Sequence, residues 1–246
     1  MTTDMRHAIV DVLETADAVA MRMAELFIRT VKEKAEGKAR IALSGGSTPK
    51  KLFTILARPD MAGQVDWSRV ELFYGDERYV AEGHADSNHA SARELLLSRV
   101  SIPAGQVHPM PTATTAAEDA ARYQGTLQKS YGATELEPGR PLFDLVMLGL
   151  GTDGHTASLF PGEPVLDEKT AWVGVAAPST APHERLTLTY PAIASSALVV
   201  FLVTGENKVP MLARLRQGDG SIPSGRIVSE GKILILADRA AAGELS

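Results

Sequence analysis

The chain has 246 residues, 44% of them hydrophobic, enough to fill the core of one α/β domain over 1–246. Its 25 basic and 30 acidic residues leave a net charge of −5 with no basic block, which argues against nucleic-acid and anionic-membrane partners. Absence of Cys excludes disulfides, thiol chemistry and zinc–thiolate sites. The N-terminus has no signal-like pattern, and no run approaches the ~18 apolar residues of a membrane span, so a cytoplasmic protein is expected.

In chain order, Ala16, Val19, Met23, Phe27 and Val31 recur at three- and four-residue steps and predict an amphipathic helix over 14–36, with Gly37 as its stop. "RIALSGGSTPKKLFTIL" predicts a short strand, a Gly-Gly turn and a helix opening at Pro49. "RVELFYGDERYV" predicts a second strand running into a charged loop. Asp86 or Ser87 can cap a helix through about 99, and another helix is expected over 114–130. "LFDLVMLGL" is nearly continuous in apolar residues, as expected of a strand covered on both faces. Further strands are expected at 172–176, 185–189, 198–203 and 232–237, and a helix over 206–217. Loops fall at 131–141, 177–184 and 217–225. Alternating strands and helices predict an open, mostly parallel sheet with helices on both faces, in preference to a closed eight-stranded barrel. Ligands of such sheets sit beyond the carboxyl ends of the strands. "SGGSTP", "GDERYV", "GTDGHTAS" and "TGENK" all follow strands and are expected to converge there.

Gly45 and Gly46 let backbone N–H groups approach a ligand, Ser44, Ser47 and Thr48 add hydroxyls, and the next helix offers its N-terminus to an anion. The loop is neither a Walker A sequence nor G-x-G-x-x-G, and it reads equally as a tight turn with a helix cap. Asp76, Glu77 and Arg78 form either a solvated charged loop or a site in which the Arg fork orients a carboxylate, phosphate or polarised carbonyl. His155 is the best general-base candidate, since imidazole exchanges protons near neutrality, and Asp153 stands two residues away to fix its tautomer or help bind a water. His7, His84 and His89 lie in polar stretches, His108 is beside Pro109, and His183 is in a Pro-rich loop. No second His or carboxylate stands at a metal-ligand spacing from His155, so no metal is expected. Arg185 and Lys208 are either phosphate partners or surface cations.

"LSGGSTPKKLF", "FYGDERYV", "DSNHASARELLL" and "DLVMLGLGTDGHTASLFPG", in this order from residue 39 to about 210, together resemble the soluble bacterial 6-phosphogluconolactonases, relatives of the glucosamine-6-phosphate isomerase/deaminases. The resemblance implies a three-layer α/β/α sandwich with a mostly parallel, modified Rossmann-like sheet. It implies hydrolysis of a sugar-phosphate lactone in the oxidative pentose phosphate pathway, with His155 as base, Asp153 its neighbour and Arg78 orienting the reacting end. Ser44, Gly45, Gly46, Arg185 and Lys208 match phosphate-binding positions. Deaminase-like relatives resemble "DEY" where this chain has Asp76-Glu77-Arg78, and carry a Glu where it has Phe160, which favours lactone hydrolysis over amino-sugar isomerisation. A non-catalytic sugar-phosphate sensor is the remaining alternative. Pro210 departs from the pattern and implies that the helix after Lys208 begins later than in relatives. No cofactor is expected, because a lactone is already electrophilic and no electrons move.

Overall fold

The computed structural model describes residues 2–243. Its strands are β1 (Thr3–Asp4), β2 (Ile9–Leu13), β3 (Ala39–Leu43), β4 (Val70–Tyr74), β5 (Asp76–Arg78), β6 (Leu145–Gly149), β7 (Val173–Ala176), β8 (Arg185–Leu188), β9 (Leu198–Val203), β10 (Val228–Ser229) and β11 (Lys232–Asp238). Its α-helices are α1 (Ala16–Glu33), α2 (Ser47–Leu56), α3 (Pro59–Ala62), α4 (Asn88–Ala92), α5 (Ala116–Tyr131), α6 (Tyr190–Ala194), α7 (Val209–Arg216) and α8 (Arg239–Ala242). Six strands form one sheet in the order β2-β11-β9-β6-β3-β4, and every neighbouring pair is parallel. The apolar runs of β6 and β9 lie in its middle and are buried almost throughout, with helices covering the sheet. This is the expected α/β/α architecture. Among the described residues no helix is long and apolar enough to cross a membrane.

The chain steps outward from β3 to β4, then returns to build β6, β9 and β11 on the other side of β3. The carboxyl ends of β3 and β6 therefore flank a topological switch point, where an open α/β sheet leaves a crevice.

Several expectations need correction. Residues 172–176 and 185–189 do not extend the parallel sheet. They contribute β7 and β8 to a separate antiparallel sheet, order β5-β8-β7. Its third strand is the expected charged loop, Asp76–Arg78. Gly75 joins the two sheets: its N–H donates to the Leu43 carbonyl at 2.8 Å and its carbonyl accepts from Leu188 N–H at 2.8 Å. Strand pairing is a property of the partner, and local composition does not encode it. Strand β2, Ile-Val-Asp-Val-Leu, was not expected, although four of its five residues are apolar; it is the edge strand, with Ile9 exposed and the rest half-buried.

Helix boundaries follow local chemistry. Helix α1 opens with Thr15, whose hydroxyl accepts from Ala18 N–H at 3.2 Å, and ends short of Gly37, where Lys34 turns extended and its carbonyl accepts from the Arg69 guanidinium. Helix α2 starts two residues before Pro49. Ser87 rather than Asp86 caps α4, whose hydroxyl accepts from Ala90 N–H at 3.0 Å, and the expected long helix widens into a π turn at 93–97.

Asp119 on α5 is fully buried, and one of its oxygens accepts from Ala113 N–H (2.6 Å), Thr114 N–H (2.9 Å) and the Tyr79 hydroxyl (2.8 Å). Burial pushes this carboxyl up, but the Thr114 and Ala113 N–H groups and Tyr79 overcome it and hold it at about 2. The folded value lies below the ~3.9 of an unfolded Asp, so the stabilisation is complete above about pH 4 and is lost as pH falls toward 2. Asp119→Ala is expected to cost roughly 1–3 kcal/mol at neutral pH by leaving these donors without an acceptor. Urea titrations should show the gap between wild type and variant closing below pH 4; a gap that persists at pH 2 contradicts the assignment.

Candidate active site

A cavity of about 300 Å³ opens at the switch point and is lined by all four glycine-rich or charged segments that the sequence singles out. Loop 44–48 leaves β3, Asp76 and Arg78 lie on β5, residues 149–157 leave β6, and Thr204 and Lys208 follow β9. Arg185 enters from the first position of β8. Residues up to 164 positions apart in the chain, Ser44 and Lys208, thus share one space because their strands are neighbours.

One wall is built for an anion. Gly46, at φ +107, is the N-cap of α2 and no side chain caps that helix, so its first N–H groups are left for a ligand. Gly45 touches Asn88: a Cβ there would lie 2.0 Å from Asn88 Oδ1. Asn88 Nδ2 in turn donates to the Asp76 carbonyl at 2.9 Å, tying the glycine loop to β5. Gly45→Ala is therefore expected to displace the cradle and raise KM roughly tenfold, as loss of about one net hydrogen bond does. Initial-rate kinetics read this directly, and an unchanged KM would show that the loop does not hold substrate.

Arg78 and Arg185 stand directly opposite one another in the antiparallel β5–β8 pair. Like charges in that position are destabilising without a counter-charge. The Nε atoms of both guanidinium groups are buried without a hydrogen-bond partner. Burial, then the charge of Arg78, pushes the Arg185 guanidinium below its ordinary value. A buried guanidinium beside a second, half-buried one, each with a free Nε donor, is the signature of an anion site. Arg78 is further oriented by an Nη1 bond to the Asp86 carbonyl at 2.7 Å. Lys208 lines the same space; burial lowers its pKa and the charge of Asp153 opposes that. Helix α7 begins at Val209 with Pro210 in its first turn, where proline removes no needed bond, and Lys208 becomes the residue preceding the helix. Residues 206–208 of the helix expected over 206–217 form a 3₁₀ turn instead.

His155 lines the same cavity and pairs with Asp153. His155 Nδ1 lies 2.6 Å from Asp153 Oδ1, which also accepts His155 N–H at 3.0 Å. Burial pushes the Asp153 carboxyl up, but the His155 N–H and the imidazole hold it below the usual carboxylate range. An ionised Asp153 on Nδ1–H leaves the Nε2 lone pair as the base. The glycines that surround the pair have steric reasons. A Cβ on Gly151 would lie 2.1 Å from His155 Nδ1 and 2.6 Å from Asp153 Oδ1, and Gly154 adopts φ +84. Phe160 stacks on the imidazole with ring centroids 4.1 Å apart, and the Arg185 guanidinium lies 5.3 Å from the centroid of the same ring.

Glu77 is not a cavity residue. It is buried under α4, where it accepts from Asn88 N–H (2.7 Å), His89 N–H (2.8 Å), Arg78 N–H (2.8 Å) and the Ser87 hydroxyl (3.0 Å). A carboxylate with four donors positions the helix and its neighbours and has little capacity left for substrate. Its expected substrate contact is replaced by a structural one, because alternate residues of β5 face opposite ways. Asp76 does face the cavity, with one oxygen held by the Ser158 hydroxyl at 2.7 Å. Asn88 and Thr204, whose hydroxyl meets that of Thr48 at 2.9 Å, were missed. Asn88 sits within the quoted "DSNHAS", but uncharged amides carry no distinctive signal in a single sequence.

The family model described as glucosamine-6-phosphate isomerases/6-phosphogluconolactonase matches residues 14–235. The chain belongs to this family. A 6-phosphogluconolactonase of Nostoc sp. strain PCC 7120 is 40% identical over 244 residues, covering 96% of this chain and 98% of that one. One of Synechocystis sp. strain PCC 6803 is 41% identical over 223 residues, covering 88% and 89%. Among solved structures, the 6-phosphogluconolactonase from Trypanosoma cruzi superposes with a TM-score of 0.83 at 27% identity, covering 100% of this chain and 99% of that one. A monomeric glucosamine-6-phosphate deaminase shares the fold, with a TM-score of 0.79 at 20% identity, over 95% of this chain and 98% of that one. The lactonase and the deaminase thus share one architecture, so the fold alone does not fix the chemistry.

Proposed function

We propose that this chain hydrolyses 6-phospho-D-glucono-1,5-lactone to 6-phospho-D-gluconate, as one domain, in the oxidative pentose phosphate pathway of the cytoplasm. The observation that carries the reading is the shared cavity: His155, held by Asp153, lines it together with the half-buried Arg78 and the buried Arg185, whose Nε atoms have no hydrogen-bond partner. The substrate phosphate binds the 44–48 loop, Arg185 and Lys208. That remote contact fixes the lactone carbonyl near His155, and orientation of this kind lowers a barrier by several kcal/mol.

His155 Nε2 takes a proton from water as its oxygen attacks C1. Charge develops on the carbonyl oxygen, where Arg78 or the glycine-loop N–H groups donate. The imidazolium, stabilised by Asp153, then returns the proton to the ring oxygen as the C1–O bond breaks. Water is added across the ester and nothing is oxidised or reduced. The hydroxyl of Ser47 is not the nucleophile in this scheme, since "SGGS" lacks the G-x-S-x-G elbow.

A dehydrogenase-coupled lactonase assay, corrected for spontaneous opening of the lactone, tests the proposal. Turnover well above the spontaneous rate is expected, with no ammonia released from glucosamine 6-phosphate. Ammonia release would favour the amino-sugar reading, against which Arg78 and Phe160 stand. Tight binding of 6-phosphogluconate without turnover would favour a sensor.

A further inference from the structure

A second group of ligating side chains lies on the two loops that follow Arg78 and precede Arg185. The loop after β5 carries His84 and Asp86, and the loop before β8 carries His183. The antiparallel pairing of Arg78 with Arg185 sends both loops off the same end of the sheet, and Tyr79 N–H extends that pairing by donating to the Glu184 carbonyl at 2.8 Å. His183 Nε2 comes 2.9 Å from Asp86 Oδ2, and His84 Nδ1 lies 3.9 Å from the same oxygen. The two imidazole rings meet edge to face with centroids 5.6 Å apart. Among the described residues, these three form a group whose ligand atoms all fall within 4.8 Å of one another.

We propose that His84, Asp86 and His183 form a site for a divalent cation of the zinc class, which clips the two loops together beside the substrate cavity. Four ligands at ~2.0–2.1 Å around tetrahedral zinc stand about 3.4 Å apart, and the observed 2.9 and 3.9 Å bracket that spacing. His84 Nδ1 accepts the Asp86 N–H at 3.1 Å, so it is unprotonated, and an ion would take its lone pair in place of that hydrogen bond. The Arg78 guanidinium bonds the carbonyl of Asp86 and leaves its carboxylate to the imidazoles. All three side chains are partly exposed, so an ion has a direct path in and a water can complete its shell. Two imidazoles and one carboxylate suit zinc over calcium or magnesium, which prefer all-oxygen shells. Local spacing does not find this site, because His183 is about a hundred residues from the other two.

Calorimetric titration of the full chain with zinc chloride, in a non-chelating buffer, tests the proposal. One ion per chain is expected. His84→Gln and His183→Asn should each weaken binding at least tenfold, the lower bound for disturbing even an outer-shell partner. Asparagine is chosen at 183 because that residue sits at φ +69, which asparagine tolerates. His155→Ala, which removes the imidazole of the cavity, should bind zinc like the wild type. Cobalt(II) should give the intense visible bands of a tetrahedral site in the wild type and lose them in both loop variants. Zinc should also raise Tm more in the wild type than in either variant, since it binds only the folded arrangement. Zinc affinity unchanged by both loop substitutions, or lost in His155→Ala instead, would overturn the assignment. So would absence of binding at millimolar zinc.

Discussion

His155→Ala is expected to lower kcat by about 10²–10⁴, the usual worth of a positioned general base, while 6-phosphogluconate still binds. The imidazole is the group whose free nitrogen opens on the cavity, and its other nitrogen is committed to Asp153 at 2.6 Å. Removing it leaves the anion wall intact, because Arg78, Arg185 and the α2 N-terminus lie on other elements. The effect should therefore fall on kcat, with KM changed little. Asp153→Asn should lose a smaller part of kcat, since it leaves the base in place but weakens its orientation and its charged form. Rates measured against the spontaneous hydrolysis background decide the matter. Full turnover in His155→Ala would remove it as the base. Gly151→Ala offers a steric version of the same test: its Cβ would lie 2.1 Å from Nδ1, so it should lower kcat without unfolding the protein.

Arg185→Ala is expected to raise KM by roughly 10–100-fold, equivalent to the ~1.5–3 kcal/mol of a hydrogen bond to a charged group. The guanidinium is buried, its Nε has no protein partner, and it faces a second cation across the strand pair. Such a group gains most from an anion that both neutralises and hydrogen-bonds it. Arg185→Lys keeps the charge but loses the planar fork, and should recover only part of the affinity. Because Arg78 is relieved of repulsion in Arg185→Ala, the variant should also be no less stable when substrate is absent. Initial-rate kinetics with product-binding calorimetry separate the effects: an unchanged KM and product Kd would take Arg185 out of the phosphate site.

The parallel core was legible because β6 and β9 are apolar at nearly every position, and burial on both sheet faces demands that pattern. The antiparallel sheet was not. Nothing in "RLTLTYP" states that its partner is Asp76–Arg78 rather than a core strand. That pairing sets Arg78 against Arg185 and sends Glu77 to the opposite face, under α4. The histidine–carboxylate pair was legible because its members are two residues apart, whereas His84 and His183 are brought together by the strand pairing alone.

By itself the sequence determined the chemical inventory: an imidazole beside a carboxylate, glycines where a Cβ would collide, arginines and a lysine for an anion, and no thiols. It also determined the parallel core, since continuous apolar runs have no stable alternative to burial. The tertiary structure decided which of those groups face one another. Side-chain chemistry travels with the residue, but the face it presents and the neighbours it meets depend on strand order and register, which form only when distant segments pair.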